Sequence, residues 1–353
     1  MTALNFLFKA VLPPARSQAI INTMSMKHIS ILVPKGEVAL GCIEGPFILF
    51  NKVNEFLENV GKPALFRVQL VGMTKETQVY ARFFTVAPDC SIKEVRKTDL
   101  IIVPAVNGDM TRVISMNEEF FPWIIRQHDQ GAEVASLCVG AFLLAATGLM
   151  KGKQCSTHWG SCDEFRKMFP DVDLVSDKII TDAEGLYSSG GANSFWNLLL
   201  YLLEKYTDRQ MAILFSKYYA IDIDRGTQSP FTIFKGQKDH EDESIKKAQE
   251  FIEKNFQEKI TVDQLASMLA IGRRNLERRF KKATSNSVIE YMQRVKIEAA
   301  KKNLESSREN VNEVMYKVGY TDTKAFRTTF KKLTGLSPVQ YRTKYNREAM
   351  VLN

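Results

Sequence analysis

The chain has 353 residues, 45% of them hydrophobic and 25% charged, a globular composition long enough for two domains with separate cores. Its formal charge of +8 is unevenly placed: residues 1–240 hold 25 Lys and Arg against 25 Asp and Glu, whereas residues 241–353 hold 23 against 15. Five cysteines without a C-x-x-C pair argue against a disulfide framework or zinc ribbon and fit a reducing cytoplasm, and the longest apolar stretch, 134–150, is broken by Gly140 and Gly148 and too short for a membrane span.

Residues 1–26 lack a compact apolar run followed by a small-residue cleavage site, so no secretion signal is expected and they read as a flexible extension. From Lys27 onward short apolar runs alternate with helical patterns. Strands are expected at 28–34, 65–71, 99–104 and 133–138, with a helix over 45–60. Near-continuous β-branched runs separated by helices imply an α/β domain with a parallel, flavodoxin-like sheet covered on both faces. Ligands of such sheets bind at the carboxyl ends of the strands.

The fourth expected strand runs through Cys138 into an apolar helix, with Gly140 two residues on. This is the strand–turn–helix setting of a nucleophile elbow, and a helix N-terminus there would favour a thiolate. His158 follows twenty residues later, so Cys138 and His158 are a candidate dyad and, with Val139, candidate ligand contacts. A lone cysteine on a buried turn is more often an inert small apolar residue, since free cysteine is among the most buried side chains. Neither a metal site nor a cofactor motif is expected.

Cys138-Val-Gly-Ala-Phe-Leu-Leu-Ala-Ala-Thr-Gly, Thr157-His-Trp159, Gly45-Pro46, Ser189-Gly-Gly-Ala192 and Arg225-Gly-Thr-Gln-Ser-Pro-Phe231 resemble the PfpI/ThiJ-type, class I glutamine-amidotransferase-like domain over residues 27–235. The form fused to regulators is the most similar. Enzymatic members carry an acidic residue that meets the reactive cysteine, and that position falls here on Gly41 or Cys42. Protease-like members place His directly after the cysteine, where this chain has Val139. Nucleophilic catalysis without a held base lacks its activation step, so the resemblance implies a retired enzyme acting as a small-molecule sensor; Glu37 and Glu44 remain candidate substitutes for the acid.

Residues 236–242 are polar, charged and aperiodic, and read as a linker. Beyond them the pattern is wholly helical over 243–345, followed by a tail from 346 to 353. A helix over 243–255 precedes a helix capped by Thr261 and broken at Ile271-Gly272, then a basic helix from Arg273 to Lys282. Its outer face would carry Arg273, Arg274, Asn275, Arg278 and Lys282. The layout repeats fifty positions on: a helix over 310–318, a turn at Gly319, a cap at Asp322, and a helix exposing Thr323, Lys324, Arg327, Thr328 and Lys331. Two short-helix, turn, basic-helix units are two helix-turn-helix motifs; Arg and Asn can read guanine and adenine edges, and Lys meets phosphate. The helical pattern over 288–304 spans roughly 30 Å. That approximates the roughly 34 Å turn of DNA, so one chain could reach two successive major grooves.

Leu276-Glu-Arg-Arg-Phe280, Val318-Gly-Tyr-Thr-Asp322, Ala325-Phe-Arg-Thr-Thr-Phe-Lys-Lys332 and Gly335-Leu-Ser-Pro-Val-Gln-Tyr-Arg342 resemble the AraC/XylS DNA-binding domain. The resemblance implies a cytoplasmic transcription regulator of catabolic genes. It further implies double-stranded DNA, a small-molecule effector and RNA polymerase as partners, and a homodimer formed through the first domain. Thiol-dependent hydrolysis, glyoxalase-like chemistry, or redox sensing by Cys138 with Cys155 or Cys162 are the alternatives.

Overall fold

The computed structural model describes residues 25–223 and 225–346. Residues 1–24 of the expected extension and 347–353 of the expected tail lie outside them. The chain divides into two compact units, Met1–Gln228 and Ser229–Asn353.

The first unit is built on a seven-stranded sheet: β1 (Lys27–Leu32), β2 (Phe66–Gly72), β3 (Cys90–Ser91), β4 (Leu100–Val103), β5 (Glu133–Ser136), β6 (Ile180–Ala183) and β7 (Leu186–Ser189), in the order β6-β7-β5-β4-β1-β2-β3. Every pairing is parallel except β6 with β7. All four residues of β4 are buried, as a strand covered on both faces requires. The covering helices are α1 (Gly41–Asn59), α2 (Met110–Asn117), α3 (Phe120–Asp129), α4 (Ala141–Ala146), α5 (Cys162–Met168), α6 (Phe195–Tyr206) and α7 (Arg209–Tyr218). One apolar core runs through strands and helices alike.

Three details differ from expectation. Helix α1 begins at Gly41 instead of 45 and carries Pro46 inside it, because Leu40 is already helical and Cys42 and Ile43 donate to Ala39 and Leu40 carbonyls. Gly45 is there for close packing: a Cβ would stand 2.8 Å from Phe195 Cε2 of α6. The fourth strand ends at Ser136, two residues early, because Cys138 turns into the left-handed region at φ +55°. The β6–β7 hairpin was unseen in the sequence because each strand is only four residues long and mixes apolar with polar residues. Its turn, Glu184-Gly185, has positive φ at both positions, as two-residue hairpins demand.

The second unit is all helix: α8 (Glu243–Lys254), α9 (Val262–Met268), α10 (Arg273–Thr284), α11 (Val288–Ser306), α12 (Val311–Lys317), α13 (Thr323–Thr334) and α14 (Pro338–Tyr345). It holds two cores, one around Ile245, Leu265, Leu276, Phe280 and Tyr291, the other around Leu304, Val314, Phe326, Phe330 and Tyr341. The fifty-residue repeat extends to hydrogen bonds. Thr284 and Thr334 each donate to the carbonyl four residues back, and the Ser287–Glu290 capping box recurs as Ser337–Gln340.

Residues 236–242, which composition reads as a linker, are bonded to the second unit. Gln249 Nε2 donates to the Gln237 carbonyl at 2.8 Å, Lys238 pairs with Glu253 at 2.6 Å, and Asp242 accepts from Arg279 at 2.8 Å. A polar run is compatible with packing when each polar group finds a partner, which composition does not reveal.

Gly140 closes the elbow against β4: a Cβ there would lie 2.5 Å from the Val103 carbonyl oxygen and 2.7 Å from that of Pro104. Gly140→Ala is therefore expected to destabilise the first unit by about 1–3 kcal/mol or more, because backbone cannot swing aside as a side chain can. Urea unfolding followed through the tryptophan signal of that unit measures this; an unchanged midpoint would show that the elbow relaxes freely.

Candidate functional site

Each basic helix is held by a buried apolar face, so its polar face is presented outward. Leu276 and Phe280 of α10 and Phe326 and Phe330 of α13 are fully buried. Arg273, Arg274, Asn275, Arg278 and Lys282 on α10, and Thr323, Lys324, Arg327, Thr328 and Lys331 on α13, are all exposed. The 19 residues of α11 place its ends about 28 Å apart at the ordinary helical rise. Its first turns enter one core and its last turns the other.

The two motifs are not equivalent. In the first, α9 ends at a turn whose left-handed residue is Ala270, at φ +51°, not a glycine. In the second that position is Gly319, at φ +76°, where a Cβ would collide with the Gln257 carbonyl oxygen, so only glycine fits. Between short helix and basic helix lie four residues in the first motif (269–272) and five in the second (318–322), a difference invisible to the fifty-residue spacing of the basic helices. Helix α10 starts at Gly272 without a side-chain cap, whereas Asp322 caps α13 by accepting from Ala325 N at 2.9 Å.

Partners also differ. Arg273 is engaged by Asp263 at 3.0 Å and Glu277 at 3.2 Å, and Arg278 donates to Asn275 at 3.0 Å. Such exposed contacts are worth at most about 1 kcal/mol and exchange readily for phosphate. Arg274, Lys282, Lys324, Arg327 and Lys331 form no ion pair among the described residues. Arg279 is different: it grips the α8 cap Asp242 with two nitrogens and serves the scaffold. That contact holds the Asp242 carboxyl below its ordinary range.

The elbow has the expected backbone. β5 hands over at Leu137 to a single 3₁₀ turn, Cys138–Gly140, and then to α4. Cys138 N donates to Ser189 Oγ at 3.1 Å, and Thr157 Oγ1 donates to the Cys138 carbonyl at 3.2 Å. The chemistry is otherwise. Burial pushes the Cys138 thiol up to about 12, and the group acting on it electrostatically is Cys42, which also disfavours its ionisation. Burial likewise raises Cys42 to about 11. Of the two residues at the expected acid position, Cys42 thus carries a neutral thiol and Gly41 no side chain, and Glu37 and Glu44 are both exposed.

His158 is not joined to Cys138 by a hydrogen bond. Its Nδ1 accepts from Gly160 N at 3.1 Å, which puts the neutral ring's proton on Nε2, and burial lowers its pKa. A thiolate–imidazolium pair requires the opposite shifts on both partners. Val139 is buried beside Cys138. Cys155 and Cys162 are also buried, and burial raises them to about 12 and about 11; the cysteine that acts on Cys138 is Cys42. Among the described residues no group of three or more His, Cys, Asp or Glu could hold a metal ion. No helix among them is long and apolar enough to cross a membrane.

The DJ-1/PfpI family profile matches residues 49–205, and a helix-turn-helix domain profile matches residues 265–344. The HTH-type transcriptional regulator GbdR of Pseudomonas aeruginosa is 25% identical over 264 residues, covering 72% of this chain and 68% of that protein. An isonitrile hydratase of Pseudomonas putida is 28% identical over 138 residues, 38% of this chain and 55% of that enzyme. A solved ThiJ/PfpI family protein from Pseudomonas syringae superposes with a TM-score of 0.50 at 15% identity, over 60% of this chain and 82% of that one; it bears on the fold alone.

The chain therefore joins a DJ-1/PfpI-type domain to an AraC-type helix-turn-helix domain. It is a DNA-binding transcription regulator.

Two outcomes follow from this geometry. Asp322→Ala should cost about 1 kcal/mol of stability by orphaning the α13 N-terminus, read by urea unfolding; an effect below a few tenths would show the cap to be dispensable. Alkylation of Cys138 by iodoacetamide, read on its own peptide by mass spectrometry, should be at least about a hundredfold slower near pH 7.5 than that of free cysteine. Its rate should climb with pH past 10 without a plateau, because a thiol raised to about 12 gains thiolate throughout that range. A plateau near neutrality would instead reveal an activated thiolate.

Proposed function

We propose that α10 and α13 read operator DNA in two successive major grooves through the ten exposed residues named above, with Arg274 and Arg327 on base edges and the lysines on phosphates. The observation that carries this reading is the placement of two outward basic faces at the two ends of one 19-residue helix. On this reading the first unit is not an enzyme. It senses a small-molecule effector at the strand-end elbow around Cys138, Val139 and His158, and the neutral thiol and unpaired dyad support that role over nucleophilic chemistry. The protein would act in the cytoplasm as a homodimer formed through the first unit, govern catabolic genes, and meet RNA polymerase at the promoter.

Selection of bound sites from a random duplex pool by the full-length protein tests this. The expected result is a motif spanning two adjacent major grooves; no enrichment would reduce the second unit to non-specific binding. With the selected duplex, Arg274→Ala or Arg327→Ala should weaken binding by about 1–3 kcal/mol and relax preference at one or two base pairs. Equal loss on every sequence would move those residues to the phosphates.

A further inference from the structure

Gln228, the last residue of the first unit, is 1% exposed and its side-chain amide is fully engaged. Nε2 donates to the Thr157 carbonyl at 3.0 Å and the Ser176 carbonyl at 2.9 Å, while Oε1 accepts from Trp159 N at 3.2 Å. One amide therefore brackets His158 from both sides. Thr157 in turn bonds the Cys138 carbonyl, so Gln228 is two hydrogen bonds from the elbow. Space for the amide is provided by Gly190, after β7, where a Cβ would collide with Gln228 Nε2 and stand 2.6 Å from Ser156 Oγ. The main chain just before it is stitched down as well: Gln228 N donates to the Asp177 carbonyl at 2.9 Å, and Ile179 N donates to that of Gly226 at 3.3 Å.

On the other side the chain is tied just as closely to the second unit. Tyr345 Oη donates to the Pro230 carbonyl at 3.2 Å, Lys301 Nζ to the Thr232 carbonyl at 2.5 Å, and Phe234 N to Glu298 at 3.1 Å. Lys301 and Glu298 form an ion pair at 2.7 Å with side chains only 6% and 13% exposed, so both charges depend on the strap for the rest of their hydrogen bonding. Lys301 and Glu298 lie on α11 and Tyr345 on α14, the helices whose Leu304 and Tyr341 share a core with Phe326 and Phe330 of α13. Between the Gln228 anchor and the Pro230 anchor stands a single residue, Ser229, roughly 7 Å of chain at most.

We propose that Gln228 is a positioning residue for the His158 loop, and that residues 226–234 are the strap through which occupancy of the elbow site is coupled to the second DNA-reading motif. An effector that shifts the Thr157–Trp159 loop shifts the carbonyl and amide that Gln228 grips. Only Ser229 lies between that grip and the Pro230 anchor, so a shift of Gln228 needs to pass a single residue to reach the next hydrogen bond. A neutral amide suits the role because it supplies donors and an acceptor at once, where a carboxylate would face two carbonyl oxygens. Coupling is reciprocal in free energy, so DNA must change the affinity of the elbow site by the factor by which an effector there changes DNA binding, and a strap that carries the coupling carries it in both directions. The inference rests on the reading that α10 and α13 bind DNA.

Reciprocity makes it testable without the effector. Hydrogen exchange of the full-length protein is measured with and without the selected duplex. In the native chain the duplex should protect 273–284 and 323–334 and also change exchange across 156–161. In Gln228→Glu, and in a chain with Gly-Gly inserted between Gln228 and Ser229, the helices should still be protected while the change at 156–161 is lost. The insertion leaves every bond on either side intact, so it keeps the test sound if Gln228→Glu fails to fold. Protected helices with an unchanged loop in the native chain, or an insertion variant that keeps the loop response, would overturn the coupling. Unprotected helices would overturn the DNA-binding reading itself, and the coupling with it.

Discussion

Helix α11 is the one element that contributes to both apolar cores of the second unit, and everything the unit presents to DNA depends on that sharing. Each half is close to the size at which a single core fails to hold a chain folded alone. A continuous helix running from one core to the other joins two marginal halves, and it also sets the separation of the two basic faces. A bend or melted turn in α11 would change stability and reading distance together. Stability and the separation of the two basic faces thus rest here on one geometric quantity, the helical rise summed over 19 residues.

The first unit keeps the backbone of a nucleophile elbow around a thiol that burial holds neutral. The left-handed turn at Cys138, the close approach of Gly140 to the Val103 and Pro104 carbonyls and the hydrogen bonds to Ser189 and from Thr157 all preserve the shape of an elbow. What is missing is electrostatic. A thiolate needs a positive or proton-sharing neighbour, and this thiol faces another buried thiol at Cys42. Similarity to both a regulator and an isonitrile hydratase leaves the family compatible with either use. The side-chain environment, not the fold, separates the two.

The polar segment that opens the second unit is held more closely to it than composition suggests. Residues 236–242 look like a linker because charged and polar residues dominate, yet Gln237, Lys238, His240 and Asp242 each find a partner on α8, α10 or the turn before α11. The same holds for Gln228 and Thr232 on either side of the division. A chain that is bonded at nearly every step can transmit a displacement, whereas a free one would lose it to local rotation.

Much was legible in the residues themselves. Apolar spacing of 3.6 residues located α8 to α13 to within a residue or two, because those helices are amphipathic and all but α10 are capped by side chains next to them in sequence. Buried β-branched runs disclosed β1, β2, β4 and β5, and the ten outward residues of α10 and α13 followed from the inward ones. The family resemblance placed Gly41 or Cys42 where enzymatic members carry an acid but left Glu37 and Glu44 open as substitutes, and the structure shows both of those exposed. Only tertiary structure decided the rest. The β6–β7 hairpin, the thiol at Cys42 facing Cys138, the proton placement on His158 and the grip of Gln228 on the loop around it all depend on residues distant in the chain. Burial and hydrogen bonding between such residues leave no periodic trace, because the physics that creates them acts through space and not along the backbone.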